Sequence, residues 1–384
     1  MRTIHLLAAL MLLAGCPQGQ QGSKTSGARP PASVEPSLTI ALVRSDLGLG
    51  DGSYVRELDA VLNEMEEAGK IDYRPVGELP SPLEMEAGQW DVGLPLVGSD
   101  EPGTMTTQQA TSLLDEVEDC DLLVLTAPAL VNPALAAIAD GSFSAGAILL
   151  VSGQLPVISD QLPGHCPLYS VYYRIKDVAF LCGVAAAVSS NTGMFTVLAS
   201  EADPDADEFL DAVEKGAKYM TTGAQVLTAI VPVGEDGEVT TESFKRTLLR
   251  VFEEGGPAFK CNHFIVALGR STPSIMLALS SNPTNGYVVG AYADYRQVRP
   301  ARVVGCALKR PGMALRYILD NLHTGVDLAD LAEDGVITVG LEEEAVGFTS
   351  FELYGRSNPD SEDIEQAVRD AEKYIRAGEL EYDY

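Results

Sequence analysis

The sequence predicts an α/β protein built from parallel sheets in two lobes. Short apolar runs of strand length alternate with amphipathic helical stretches almost to the end of the chain, and repeated βα units of this kind form parallel sheets covered by helices on both faces. There are also more such strands than one sheet of this type holds comfortably, so the chain divides into two lobes.

The elements follow in order. Residues 1–15 read as an export signal: Arg2 is positive, Ile4 to Leu13 is apolar save for His5, and Leu13-Ala14-Gly15-Cys16 follows at once. That run is too short to cross a bilayer as a mature helix. Leu-Ala-Gly-Cys resembles the bacterial lipobox, which makes Cys16 the expected first residue of the mature protein and the carrier of its acyl chains, palmitate among them. Residues 16–37 are rich in Gln, Gly, Ser and Pro, cannot bury a core and read as a flexible tether. Leu38 to Val43 is then a buried strand, and Ser45 to Gly52 is a glycine-rich turn carrying Asp46 and Asp51 at the strand's carboxyl end. Tyr54, Leu58, Val61, Leu62 and Met65 form one stripe of the helix that follows, with Asp51 or Ser53 available as its cap.

Further on, a helix over Thr106 to Glu118 precedes the strand Asp121 to Thr126, and a short helix from Asn132-Pro133 precedes the strand Gly146 to Ser152. Leu168 to Tyr173 alternates as a strand, and Lys176 to Ser190 is an apolar helix. Met194 to Leu198, Ala224 to Val231, His263 to Leu268 and Tyr287 to Ala291 read as strands. Helices over Asp205 to Tyr219, over Thr240 to Glu254 and after Ser271-Thr272-Pro273 are interleaved with them.

A hydrophobic fraction of 46% supports sizeable cores, while a net charge of −29 repels phosphate backbones and anionic headgroups. Nucleic acid is therefore excluded as a partner, and the membrane is met only through the anchor. Apart from Cys16 the cysteines are Cys120, Cys166, Cys182, Cys261 and Cys306, an odd number without CxxC spacing, so neither a zinc site nor a fully paired framework follows. One disulfide, for instance between Cys166 and Cys261, stays open. His5, His165, His263 and His323 are scattered and read as surface or satisfied core residues. No Gly-x-Ser-x-Gly, Walker loop or metal-spaced cluster occurs, so no catalysis, cofactor or metal is expected.

Several blocks then resemble the basic membrane protein family of substrate-binding lipoproteins, the purine nucleoside receptor (PnrA-like) type that serves ABC importers. The family's Asp-x-Gly-x-x-Asp-x-Ser-Phe-Asn is matched by Asp46-Leu47-Gly48-Leu49-Gly50-Asp51-Gly52-Ser53-Tyr54-Val55. Tyr173-Arg174 and Phe180-Leu181-Cys182-Gly183-Val184-Ala185-Ala186 match a second block. Phe209, Gly216 and Gly269 fall at family positions, Gly290-Ala291-Tyr292-Ala293-Asp294-Tyr295 stands for Gly-Val-Asp-x-Asp-Gln, and Cys306-Ala307-Leu308-Lys309 stands for Ser-x-x-Lys. Tyr374 to Glu379 resembles the closing helix.

The resemblance implies a type I periplasmic binding protein fold, two doubly wound lobes joined by a three-crossover hinge and closing on a ligand. The lobes are expected at residues 38–174 plus 295–325 and at residues 175–294 plus 326–377, with a tail at 378–384. It further implies a monomeric receptor, lipid-anchored and facing the periplasm or cell exterior, that hands a nucleoside-like small molecule to an ABC permease.

The expected ligand contacts are Asp46, Asp51, Ser53, Tyr54, Arg174, Gly269, Arg270, Tyr292, Asp294 and Lys309. Tyr54 either stacks on a flat ring or faces the core, and Asp51 either binds ligand or only caps the helix. Asp294 is a ribose acceptor or a solvated hinge residue. Arg174 and Arg270 are donors or partners of nearby carboxylates, and Lys309 is a charged donor that needs a partner if buried. Val55 and Tyr292 depart from the pattern and remove an amide and an acceptor, which leaves a modified nucleoside, a free base or another small polar molecule as alternatives. A sensory or structural lipoprotein that has lost transport is the rival reading.

Overall fold

The computed structural model describes residues 38–44, 53–79, 107–151, 166–234, 239–256, 260–281 and 286–380. The signal, Cys16, the tether and the Asp46–Asp51 turn lie outside them.

The first lobe is a six-stranded, all-parallel sheet in the order β11-β5-β4-β3-β1-β2. Its strands are β1 (Leu38–Val43), β2 (Ile71–Val76), β3 (Cys120–Leu125), β4 (Ala145–Leu150), β5 (Leu168–Tyr173) and β11 (Val336–Val339). The apolar run of β1 follows from burial on both faces. Ile40 and Leu42 pack toward α1 (Ser53–Glu67) and α8 (Pro311–His323), while Ala41 and Val43 pack toward α2 (Thr107–Leu114) and α3 (Val131–Asp140). The strand β2, to which sequence reading assigned no element, carries Pro75 and lies at the sheet edge, where a missing N–H is tolerated.

The second lobe is a six-stranded sheet in the order β12-β10-β9-β8-β6-β7, parallel except for β12 (Val346–Phe348) against β10 (Val303–Lys309). The others are β6 (Met194–Ser200), β7 (Gln225–Val231), β8 (His263–Ala267) and β9 (Tyr287–Gly290). Its helices are α4 (Ile175–Ser189), α5 (Ala206–Met220), α6 (Thr241–Gly255), α7 (Thr272–Ser280), α10 (Glu352–Gly355) and α11 (Ser361–Arg376), and the short α9 (Leu328–Leu331) follows α8. The start of α6 is held by a capping box, Ser243 N–H donating to Thr240 Oγ1 at 3.1 Å and Thr240 N–H to Ser243 Oγ at 3.2 Å.

The chain passes between the sheets three times, at Arg174, at Arg310 and through residues 340–345. Two of the expected lobe boundaries move accordingly. Residues 295–325 do not all join the first lobe, because β10 pairs with β9 through Val303↔Val288 and Cys306↔Gly290. Nor do residues 326–377 all join the second, because β11 pairs with β5 through Val336↔Ser170 to Val339↔Tyr173. An apolar strand reads the same from sequence whichever sheet it joins, and only its hydrogen bonds decide. Cys166 and Cys261 also lie in different lobes, and every described cysteine is an unpaired thiol.

The helix α4 is apolar all round because it is covered on all sides, lying against the second sheet, α5 and α11. Its crossing with α5 depends on two glycines. A Cβ on Gly183 would stand 2.1 Å from the carbonyl oxygen of Val213, and one on Gly216 would stand 2.0 Å from that of Phe180. Gly183→Ala and Gly216→Ala should each destabilise the fold by about 1–3 kcal/mol despite alanine's better helix propensity, because the clash is with backbone and not with a movable side chain. The midpoint of urea unfolding measures this, and an unchanged midpoint would refute the close crossing.

His263 opens β8 and is 0% exposed, its ring stacked on Tyr287 at 5.0 Å. Its Nδ1 is 2.8 Å from Asn262 Oδ1, but Nε2 is buried without a hydrogen-bond partner, so this histidine is only half satisfied. Burial pulls its pKa from 6.5 to about 3. Below pH ~6.5 the unfolded chain takes up a proton that the folded chain refuses, so stability falls with pH until about pH 3, by about 1.4 kcal/mol per unit for this one group. In His263→Phe that contribution disappears. The stability difference between wild type and variant should therefore shift in the variant's favour between pH 7 and 5, as read by denaturant titration, and a constant difference would contradict it.

Candidate ligand-binding cleft

In both sheets the parallel strands end at the crossovers, and the loops beyond their carboxyl ends approach one another there. What holds the first wall is a buried carboxylate. Asp59 on α1 accepts from Arg44 Nε at 2.9 Å and from the Tyr73 hydroxyl at 2.6 Å through Oδ1, and from Asn63 Nδ2 at 3.0 Å through Oδ2. Burial and then Asp59 push the Tyr73 hydroxyl well up, so it stays a neutral donor. Burial draws the Arg44 guanidinium down, but its bonds to Asp59 outweigh that and leave it raised. This knot ties the second turn of α1 to the end of β1 and to β2.

Tyr54 lies in the first turn of α1, is 6% exposed, and donates its hydroxyl to the backbone carbonyl of Tyr292 in the second lobe. It therefore combines a core-facing ring with a polar tip that reaches across the cleft. Its neighbour Val55 is fully buried in the first lobe and presents no polar group.

Tyr292 follows β9 and adopts φ 81°, the left-handed region that side chains with a Cβ rarely enter. Three hydrogen bonds hold it there: its carbonyl accepts from Tyr54 and from the Lys309 N–H at 3.0 Å, and its phenol donates to Asp203 Oδ2. Its ring packs edge-on to Phe209 at a centroid distance of 5.8 Å. Burial and the adjacent Asp203 raise the phenol's pKa well above its ordinary value.

Lys309, the last residue of β10, places Nζ 4.3 Å from the centroid of that ring and 4.0 Å from Asp205 Oδ2. The half-buried ammonium thus has both an aromatic face and a carboxylate. Burial raises the Asp205 carboxyl, with Lys309 opposing and Asp203 adding to the rise. Asp203 Oδ1 in turn accepts from the Asp205 N–H at 3.0 Å.

The structure thus brings together Tyr54, Tyr292 and Lys309 of the expected contacts. It adds Asp203 and Asp205, which sequence reading missed although Asp203-Pro204-Asp205 stands at a strand's carboxyl end, where ligand-facing carboxylates are to be sought. Asp294 is not part of this cluster. It is exposed and held in a fork by Arg296, whose Nε and Nη2 donate at 2.8 and 2.6 Å while Nη1 reaches the Ser350 carbonyl at 3.0 Å. Burial raises the Asp294 carboxyl, but Arg296 more than offsets this and keeps it low.

Arg174 sits in the first crossover, 3.7 Å from Asp177 Oδ2 and 3.8 Å from Glu343 Oε2. A Cβ on Gly340 would stand 2.3 Å from its Nε, so a larger residue there would require the guanidinium to shift. Gly269 lies two residues after β8 with φ 57° and starts a short 3-10 turn. Asp46 and Asp51 lie outside the described residues, as do the side chains of Ser53 and Arg270. Among the described residues no helix is long and apolar enough to cross a membrane, and no three His, Cys, Asp or Glu are grouped to hold a metal ion.

Comparison with known proteins accords with this geometry. The fold is similar to that of a solute-binding protein of an ABC transporter system from Aeropyrum pernix K1, with a TM-score of 0.53 and 15% identity, covering 90% of this chain and 93% of that one. It is also similar to a transcriptional activator of the comK gene from Bacillus halodurans, with a TM-score of 0.56 and 12% identity, covering 90% of this chain and 100% of that one. Among curated proteins, Basic membrane protein D of Borreliella burgdorferi (strain JD1) is 25% identical over 189 residues, 49% of this chain and 51% of the relative. The chain spans about half the length of the curated relatives it matches. A family profile described as ABC transporter substrate-binding protein PnrA-like matches residues 156–383. The chain therefore belongs to the family of PnrA-like ABC transporter substrate-binding proteins.

Proposed function

We propose that the chain is a lipid-anchored substrate-binding protein of an ABC importer that closes its two lobes on a small polar, nucleoside-like ligand and passes it to a permease. The observation that carries this reading is the meeting of Tyr54 from the first lobe with Tyr292, Asp203, Asp205 and Lys309 from the second. Aromatic faces beside carboxylates and one ammonium suit a flat ring bearing N–H and O–H groups. Ligand contact with both walls stabilises the closed arrangement, which a permease can read.

One observation favours the rival reading of a sensory or structural lipoprotein. The Tyr292 phenol and ring already engage Asp203 and Lys309, groups that a transported ligand would otherwise use.

A thermal-shift screen of nucleosides, bases, sugars and amino acids decides between ligand classes. A nucleoside at a hundred times its Kd should stabilise the protein by about 2.7 kcal/mol, a rise of several degrees. The shift should vanish in Lys309→Ala, which removes the cation beside Asp205. Stabilisation by a sugar or an amino acid alone would overturn the nucleoside reading, and no stabilisation by any compound would favour the rival. The anchor is tested separately. Cys16→Ser should abolish incorporation of labelled palmitate and release the protein from the membrane fraction, whereas persistent labelling would place the lipid elsewhere.

A further inference from the structure

Among the described residues, hydrogen bonds through two tyrosine hydroxyls join the lobes directly. One is the Tyr54 hydroxyl on the Tyr292 carbonyl. In the other, the Tyr172 hydroxyl on β5 donates to Glu208 Oε2 on α5 at 2.8 Å. Each lies beside a crossover. Tyr172 stands just before Arg174, where the chain first changes lobe, and the carbonyl that Tyr54 meets also accepts from the N–H of Lys309, just before Arg310. Both acceptors are themselves held in place. Lys176 Nζ is 4.0 Å from Glu208 Oε1, and the Tyr292 phenol is bound to Asp203. Both bonds run between protein atoms, so no ligand is needed to form them.

A contact close to a hinge acts on the angle between the lobes more than on the mouth of the cleft. Opening would part both hydroxyls from their acceptors, and it would also take one of three supports from a residue held at φ 81°. Tyr292 is thereby suited to two discrete backbone arrangements, one supported by Tyr54 and one relaxed.

We propose that these two tyrosines act as hinge-side struts that hold the lobes near the closed angle by themselves, so that a ligand adds to a closure the chain already favours. The proposal rests on the two-lobed closure described above but not on the chemistry of any ligand.

The test is the distance distribution between spin labels on the exposed positions Glu67 of α1 and Lys245 of α6, measured on the full chain with no small molecule added. The wild type should show a dominant short-distance population. Tyr54→Phe and Tyr172→Phe, which keep the rings and lose only the hydroxyls, should each lower the ratio of short- to long-distance forms about two- to tenfold, as expected for one net hydrogen bond. The double variant should lower it further. Distributions unchanged in the double variant, or a wild type already at the long distance, would overturn the proposal. Far-ultraviolet circular dichroism and the urea midpoint of each variant separate an opened hinge from a misfolded lobe. Because no ligand enters the measurement, a failed nucleoside screen and failed struts are distinguishable.

Discussion

The arrangement depends on how the three crossovers are tied to one another. The N–H of Arg174 in the first donates to Val339 O at 2.8 Å, at the end of β11 just before the third, and the N–H of Arg310 in the second donates to Ala345 O of the third at 2.8 Å. Within it, the N–H groups of Ala345 and Val346 return to Gly340 O, and the Arg376 guanidinium reaches Leu341 O from α11. These bonds satisfy backbone groups that leave one sheet before entering the other, and they set the distance between the two rows of strand ends. Everything placed beyond those ends, from Tyr54 to Lys309, inherits its position from them.

The cleft-facing cluster is polar, half buried and largely satisfied from within. Asp203 accepts from the Tyr292 phenol and the Asp205 N–H, while Lys309 has Asp205 and an aromatic face. A buried carboxylate is costly unless paired, and these pairings meet most of that cost without any other molecule. Under the proposed function they also mean that an incoming group must exchange for an existing partner. Affinity then depends on the difference between two sets of hydrogen bonds, which is a stringent basis for selection. The backbone strain at Tyr292 belongs to the same balance, because the hydrogen bonds that fix its φ are also those that occupy Asp203 and meet Tyr54.

By itself the sequence determined the fold class, most of the elements and the family pattern. Runs such as Leu38–Val43 and Lys176–Ser190 are apolar because both faces or all sides are covered, and that burial is written directly in composition. Gly183 and Gly216 could be matched to a pattern, but only the packing of α4 on α5 shows that a methyl group at either would strike a carbonyl. Val55 could be read as a lost amide, whereas burial reveals a core side chain. Tertiary structure alone decided that β10 belongs to the second sheet and β11 to the first, and that Asp203 and Asp205 join Tyr292 and Lys309. The physical reason is the same in each case. Local sequence sets the period of apolar residues and hence the element, while strand pairing and the partner of a charged group depend on chain segments up to a hundred residues away or more, whose meeting no local pattern records.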